Sequence, residues 1–290
     1  MNPFQGKVAV VTGAGGGIGR ELALGLARRG ARLALADVHD APLAETAELV
    51  RGLGAEAHTA RVDVAERSAV EAFADEVAGV FGVVHQVYNN AGIAGAGGTV
   101  LESDWAVYDR VLSVNLYGVI HGTKAFLPHL IASGDGHVVN VSSLNGIMAQ
   151  AELSAYCASK FAVRGFTETL RGEMLLAGHR VRVTVVHPGG VRTGIASAAL
   201  EEARRAGAEV TPEQEARVRL YNEKLLKMPA ARAAEIILTG VARGRSRILV
   251  GGDARLVDAL VRLLPTRYPS LAARFSARLT RTRTRTPVRA

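Results

Sequence analysis

Short runs of β-branched and other apolar residues alternate with segments of helical spacing along almost the whole of this 290-residue chain. KVAVVT at 7–12 leads through a glycine turn into ELALGLARRG, where Leu22 and Leu26 stand about one turn apart. Further apolar runs follow at 31–37, 55–62, 83–88, 137–141, 181–186 and 248–250, with helical spacing over 68–81 and 104–130 between them. Runs apolar on both faces have to be covered on both faces, and strands that alternate with helices achieve this as a parallel sheet with helices above and below. The expected fold is therefore α/β, doubly wound, with a mostly seven-stranded parallel sheet. No repeat and no boundary interrupts the alternation before residue 253.

Composition excludes several classes. With 48% apolar and 21% charged residues the chain is an ordinary globular one. No apolar run reaches membrane-spanning length, and the first strand begins too early for a secretory leader. The single Cys157 cannot make an internal disulfide, which fits a reducing compartment, so a cytoplasmic protein is expected. His, Cys, Asp and Glu nowhere cluster with metal-ligand spacing, and no metal is expected.

The first turn carries glycines as Gly13-x-x-x-Gly17-x-Gly19 between a strand and a helix. Small residues there let the backbone approach a pyrophosphate, and the helix behind offers free N–H groups and the positive end of its dipole. The second strand ends in Asp37, eighteen residues after Gly19. A carboxylate there can accept hydrogen bonds from an adenosine ribose and would repel a 2′-phosphate. No Lys or Arg occupies Gly16 or Val38 to neutralise it, although Arg20, Arg32 and His39 are near in sequence. NAD is favoured over NADP, and the sheet is Rossmann-type.

The stretch 137–166 reads as a strand, a loop and a helix. Ser143 should emerge at the strand's carboxyl end, where ligands lie in open α/β sheets. Tyr156 and Lys160, four residues apart, share one helical face. A free phenol has a pKa of about 10, and a neighbouring ammonium favours its ionised form. That suits an acid/base acting on an alcohol or carbonyl. Taken alone, Tyr-x-x-x-Lys is common on helices and decides nothing.

Several motifs in register give it context: TGAGGGIG, Asp63, NNAG at 89–92, Asn115, the serine pair, YCASK and PGGVRT. In these the chain resembles the classical short-chain dehydrogenase/reductase family over about residues 5–252. The resemblance implies an NAD(P)-dependent oxidoreductase that interconverts a secondary alcohol and a ketone by hydride transfer. It implies Tyr156 as acid/base, Ser143 holding the substrate oxygen, Lys160 lowering the tyrosine pKa and binding the nicotinamide ribose, and Asn115 anchoring a water in a proton relay. It also places Gly13, Gly17, Ile18, Gly19, Asp37, Asp63, Val64, Asn90, Pro188, Gly189, Val191 and Thr193 at cofactor positions, and it implies a homotetramer or homodimer. A non-catalytic NAD sensor acting through a basic tail is the alternative, although a sensor has no need of the acid/base set.

Substrate specificity is hardly legible. Leu144, Asn145, Met148, Gln150, Leu153, Gly190 and Val191 are the expected walls, mostly apolar, with a helical insert over 194–228 as a lid. Beyond residue 253 the chain carries nine arginines and one acid, Asp258, so the whole net charge of +8 lies in residues 254–290. Leucines at 256, 260, 263 and 264, then Leu271, Phe275 and Leu279, predict two amphipathic helices with basic faces, and 280–290 should be disordered. The preferred reading of this extension is a helical cover over the crevice or a subunit contact. Peripheral membrane contact is the second, and nucleic acid contact, which lacks a stacking platform of aromatics, is not expected.

Overall fold

The computed structural model describes residues 2–281 apart from 96, 206, 208 and 209. Its strands are β1 (Val8–Thr12), β2 (Arg32–Asp37), β3 (Ala57–Arg61), β4 (Gln86–Asn89), β5 (Gly136–Val141), β6 (Val181–Pro188), β7 (Val191–Arg192), β8 (Met228–Pro229) and β9 (Arg247–Val250). Seven of them form one sheet in the order β3-β2-β1-β4-β5-β6-β9, parallel throughout. The order reverses direction between β1 and β4, which opens a crevice above the carboxyl ends of those two strands.

The helices are α1 (Gly17–Ala27), α2 (Asp40–Gly52), α3 (Arg67–Phe81), α4 (Trp105–Leu112), α5 (Gly118–Ala132), α6 (Ser154–Leu176), α7 (Ile195–Arg205), α8 (Pro212–Leu220), α9 (Ala230–Ala242), α10 (Gly252–Leu263) and α11 (Tyr268–Arg281). Successive strand residues point to opposite faces, so β1 feeds two cores. Ala9 and Val11 pack with Leu22, Leu26, Ile237 and Leu238, whereas Val8 and Val10 pack with Phe73, Phe126 and Leu170. Phe73 and Phe126 meet edge to face with ring centroids 5.9 Å apart, the arrangement favoured by ring quadrupoles, and burial of each is worth about 2–3 kcal/mol.

The elements depart from expectation at five places. The fourth strand begins at Gln86 instead of Val83, because its register with β1 starts at Ala9↔Gln86. The expected single helix over 104–130 is interrupted by one widened π turn, Ser113–Tyr117, whose cause lies in Asn115 and is given below. His187 and Pro188 belong to β6, paired with Leu249 and Val250, and not to a loop. The first turn of α10 starts at Gly252, so a boundary after residue 253 falls inside a helix. The insert is helical as expected, and a short ladder between β7 and β8 closes its base. Helix α11 reaches Arg281, past the expected start of disorder at 280; the rest of that stretch, 282–290, lies outside the described residues.

Candidate active site

Strand β5 carries the chain to Ser142 and Ser143 at the mouth of the crevice. Ser142 stays tied to the sheet, its N–H donating to the Val186 carbonyl at 2.8 Å and its hydroxyl to the Lys160 carbonyl at 2.8 Å. Ser143 is extended (φ −162°, ψ 168°), its Oγ accepting from the Asn145 N–H at 3.1 Å. From below, the buried ring of His187 meets the Ser143 carbonyl through Nδ1 at 2.9 Å. Burial pushes the His187 imidazole down to about 4, so the ring is neutral at pH 7. Because Nδ1 faces a carbonyl it must carry the proton, and Nε2, which has no partner, is left as an acceptor.

Tyr156 and Lys160 come from α6. The Ser143 hydroxyl lies close enough to the Tyr156 phenol to influence it, and Lys160 Nζ lies 5.8 Å from that ring's centroid. Burial raises the phenol above its ordinary value, and the nearby Ser143 hydroxyl works in the opposite direction. Desolvation dominates at the phenol, and the counterweight is Ser143. Burial also pushes the Lys160 ammonium down to about 8, while Nζ donates to the Val141 carbonyl at 3.1 Å.

Asn115 is fully buried, and its amide is committed. Oδ1 accepts from the Ile93 N–H at 2.8 Å, while Nδ2 donates to the Ile93 carbonyl at 2.9 Å and to Ser159 Oγ at 3.1 Å. Reaching both groups of one backbone residue from inside a helix accounts for the widened turn between α4 and α5. It also locks the segment after β4 against α6. A Cβ on Gly92 would sit 3.1 Å from Asn115 Oδ1 and 3.3 Å from Lys160 Nζ, so a side chain there would press on both groups.

The glycine turn lies across the top of β1 and β4. Gly13 takes φ +65°, and a Cβ on it would stand 2.8 Å from Ala91 Cα; a Cβ on Gly19 would strike the Gly13 carbonyl. Asn90 supports this turn through Nδ2, which donates to the carbonyls of Thr12 at 3.0 Å and Gly13 at 3.2 Å, so its side chain braces the cradle. Asp37 accepts from the Gly15 N–H at 2.8 Å and the His39 N–H at 3.0 Å. Arg20 is committed to Glu45, Thr46 and the Gly15 carbonyl. Asp63 caps its own turn at Ala65 and pairs with Arg110 at 3.3 Å. Val64 is buried against Gly118, and Ile18 leans on the core. A cleft of about 590 Å³ lies over the turn, lined by Gly16, Gly17, Arg192, Thr193, Ser197 and Asn222 among others. The cradle fits a dinucleotide: backbone bare where a pyrophosphate must approach, a helix N-terminus behind it, and open space beside Gly16.

On the other side of Tyr156 the crevice narrows to about 10 Å³ between Ala94, Gly97, Gly98, Val107 and Leu153, room for one water at most. Gly98 donates to the Glu152 carbonyl at 2.9 Å, and Gln214 of the insert donates to the Gly97 carbonyl at 3.3 Å. Leu144, Asn145, Met148, Gln150 and Leu153 are partly exposed along this mouth. Gly190 is partly exposed, packed against the Leu225 carbonyl with its N–H donated to Asp253, and Val191 is buried in the core beside Met228. Pro188 is buried in β6, and Gly189 is held to the Val250 carbonyl.

Sequence reasoning missed the wall made by Ala94, Gly97 and Gly98, whose only signal is the run GAGG after NNAG. It also missed a buried polar chain in which Asn89 donates to Asn140 and Thr123, and Asn140 donates to Thr167. That chain ties β4 and β5 to the helices that present Asn115 and Lys160.

A phosphate cradle at the reversal of a doubly wound parallel sheet, beside a Ser, Tyr and Lys set at the carboxyl end of β5, defines an oxidoreductase of nucleotide-binding type. The short chain dehydrogenase family model matches residues 7–204, and the chain belongs to that family. It is 50% identical over 273 residues to the oxidoreductase SadH of Mycobacterium tuberculosis, covering 94% of this chain and 96% of that protein. Cyclohexanol dehydrogenase of Acinetobacter sp. is 33% identical over 192 residues, 66% of this chain and 76% of that one. A short chain dehydrogenase/reductase of Burkholderia phymatum, solved in complex with NAD, superposes with a TM-score of 0.85 at 37% identity, covering 93% of this chain and 97% of that one.

Proposed function

We propose that the protein is an NAD-dependent dehydrogenase/reductase that interconverts a secondary alcohol and a ketone on a mostly apolar skeleton. The observation that carries this reading is the convergence of Ser143, at the carboxyl end of β5, on Tyr156 and Lys160, which share one face of α6 with Lys160 Nζ 5.8 Å from the Tyr156 ring centroid. NAD, when bound, supplies the hydride acceptor or donor. Tyr156 takes the proton from the substrate hydroxyl in oxidation and returns it in reduction, and Ser143 holds the same oxygen. Lys160, with one hydrogen on Val141, has others for a ribose hydroxyl and for proton exchange. The side-chain amide of Asn115 is taken up by Ile93 and Ser159, so a relay water would rest on its main-chain carbonyl.

Gly13, Gly17, Ile18 and Gly19 would form the pyrophosphate cradle, Asp37 would take the adenosine ribose, and Asp63, Val64 and Asn90 would border the adenine and ribose. Thr193, whose methyl lies 3.2 Å from a Cβ built on Gly17, would close the cofactor from the opposite side with Pro188, Gly189 and Val191. NAD is preferred to NADP because Asp37 faces the site and Arg20 is already neutralised by Glu45. The apolar walls support an apolar alcohol, the class to which cyclohexanol belongs. Residues 1–253 form the catalytic unit and 254–290 an extension.

A homodimer or homotetramer is supported by exposed Tyr117 and Phe161 on the elements that bear Asn115 and Lys160, and sedimentation at micromolar concentration tests it. Among the described residues no helix is long and apolar enough to cross a membrane, and the lone Cys157 suits the cytoplasm.

Tyr156→Phe tests the central reading. Turnover of alcohols should fall by several orders of magnitude while NAD still binds. Unchanged turnover would overturn the assignment, and a wild-type protein that binds NAD without turning over any alcohol or ketone would favour the sensor.

A further inference from the structure

We infer that α10 and α11 form a docking surface for an anionic lipid bilayer, set beside the mouth of the substrate crevice. Helix α10 is fastened to the body along one side only. Ala254 is its sole buried residue, and Asp258 pairs with Arg247 of β9 at 2.6 Å. Leu256 and Leu263, seven residues apart and so on one line of the helix, face away from the body with 71% and 79% of their surface exposed. On α11, Leu271 is 42% exposed. Arg255 and Arg262 each precede one of the two leucines of α10, and Arg267 and Arg274 flank Leu271 in sequence; all four are exposed, and Arg262 shares Asp258 with Arg247, at 3.1 Å.

Leucines bordered by arginines suit the boundary between headgroups and acyl chains. Charge selects among the candidate occupants. Residues 1–253 are balanced, and the surplus of +8 lies wholly beyond them. A second copy seated isologously on this face would bring each cluster of arginines against its own duplicate, whereas an anionic leaflet neutralises them.

The position gives the surface a use. Tyr268 Oη accepts a bond from the Ala149 N–H at 3.5 Å, on the loop between Ser143 and Tyr156 that forms the crevice mouth. The extension thus touches the crevice and presents an apolar, cationic face outward. A protein docked this way would draw amphiphilic substrate directly from the bilayer. The docking itself does not depend on the proposed reaction.

Full-length protein is sedimented with phosphatidylcholine vesicles with and without phosphatidylserine, alongside the variant Leu256→Ser/Leu263→Ser. Both leucines are exposed, so the variant should keep its melting temperature and its turnover of a water-soluble substrate. Wild type should bind only the anionic vesicles and be released at high salt, and the variant should bind about tenfold more weakly or not at all. Equal binding to neutral vesicles, no binding to either, or full binding by the variant would overturn the proposal. So would a lower sedimentation mass of the variant in the absence of lipid, since a second copy would then be the occupant. Salt-sensitive binding of an oligonucleotide by wild type and variant alike, with none to vesicles, would assign the arginines to nucleic acid.

Discussion

Lys160 Nζ stands 5.8 Å from the centroid of the Tyr156 ring, one turn along the same helix, and its one protein acceptor among the described residues is the Val141 carbonyl. Lys160 is buried and Tyr156 half-buried beside it, and desolvation moves their pKa values apart: the phenol upward from 10, the ammonium from 10.5 down to about 8. The ammonium is thereby brought nearer to proton exchange at neutral pH, while the phenol is held in its protonated form.

Burying the ammonium of Lys160 has a measurable cost in stability. Its pKa falls from 10.5 to about 8 on folding, so between those values the unfolded chain binds more protons than the folded one. Stability contributed at this site must therefore rise with pH across that window, by about 3 kcal/mol at most. Relative to Lys160→Met, which has no charge to bury, wild type should gain stability from pH 8 to pH 10 in urea titrations. A constant difference would show that the ammonium is not desolvated.

Ser143 is the group that opposes burial at Tyr156. Ser143→Ala should lower kcat by about 10²–10³-fold through the lost hydrogen bond to the substrate oxygen. It should also move the alkaline rise of the oxidation profile to higher pH, because the phenol loses the nearby hydroxyl that favours its ionised form. NAD affinity, read by fluorescence quenching, should not change.

Asp37 accepts two backbone N–H groups, and the neighbouring Arg20 is taken up by Glu45, Thr46 and the Gly15 carbonyl. Arg61, its register partner on β3, is turned to the Val38 carbonyl and Asp40. NADH should be used with a higher kcat/KM than NADPH, and Asp37→Ser should narrow the ratio by about tenfold or more. A wild type that prefers NADPH would refute this.

His187 holds the Ser143 carbonyl from inside the sheet. Asn can present an amide N–H where Nδ1 stands, so His187→Asn should retain most of kcat. His187→Leu leaves the carbonyl with the Gly146 N–H alone and should lose about tenfold in kcat, equivalent to about 1.4 kcal/mol. Equal activity of the two variants would mean that the ring only fills space.

The order of strands and helices was legible because each element carries its own periodicity, and periodicity is local: KVAVVT and ELALGLARRG announce themselves without their neighbours. The glycine turn and Tyr156-x-x-x-Lys160 were legible for the same reason, since their geometry is set by adjacent residues along one turn or helix. What required the tertiary structure is everything that depends on which segments meet. Asn115 widens its helix because Ile93 and Ser159 lie within reach of its amide. Gly190 meets Leu225 and Asp253, which come from distant segments. The pKa directions of Tyr156 and Lys160 follow from desolvation, which no spacing along the chain encodes. The leucines of α10 were visible as a stripe, but whether that stripe faced the crevice or the solvent was decided only when Ala254 and Asp258 fixed the helix's rotation against β9.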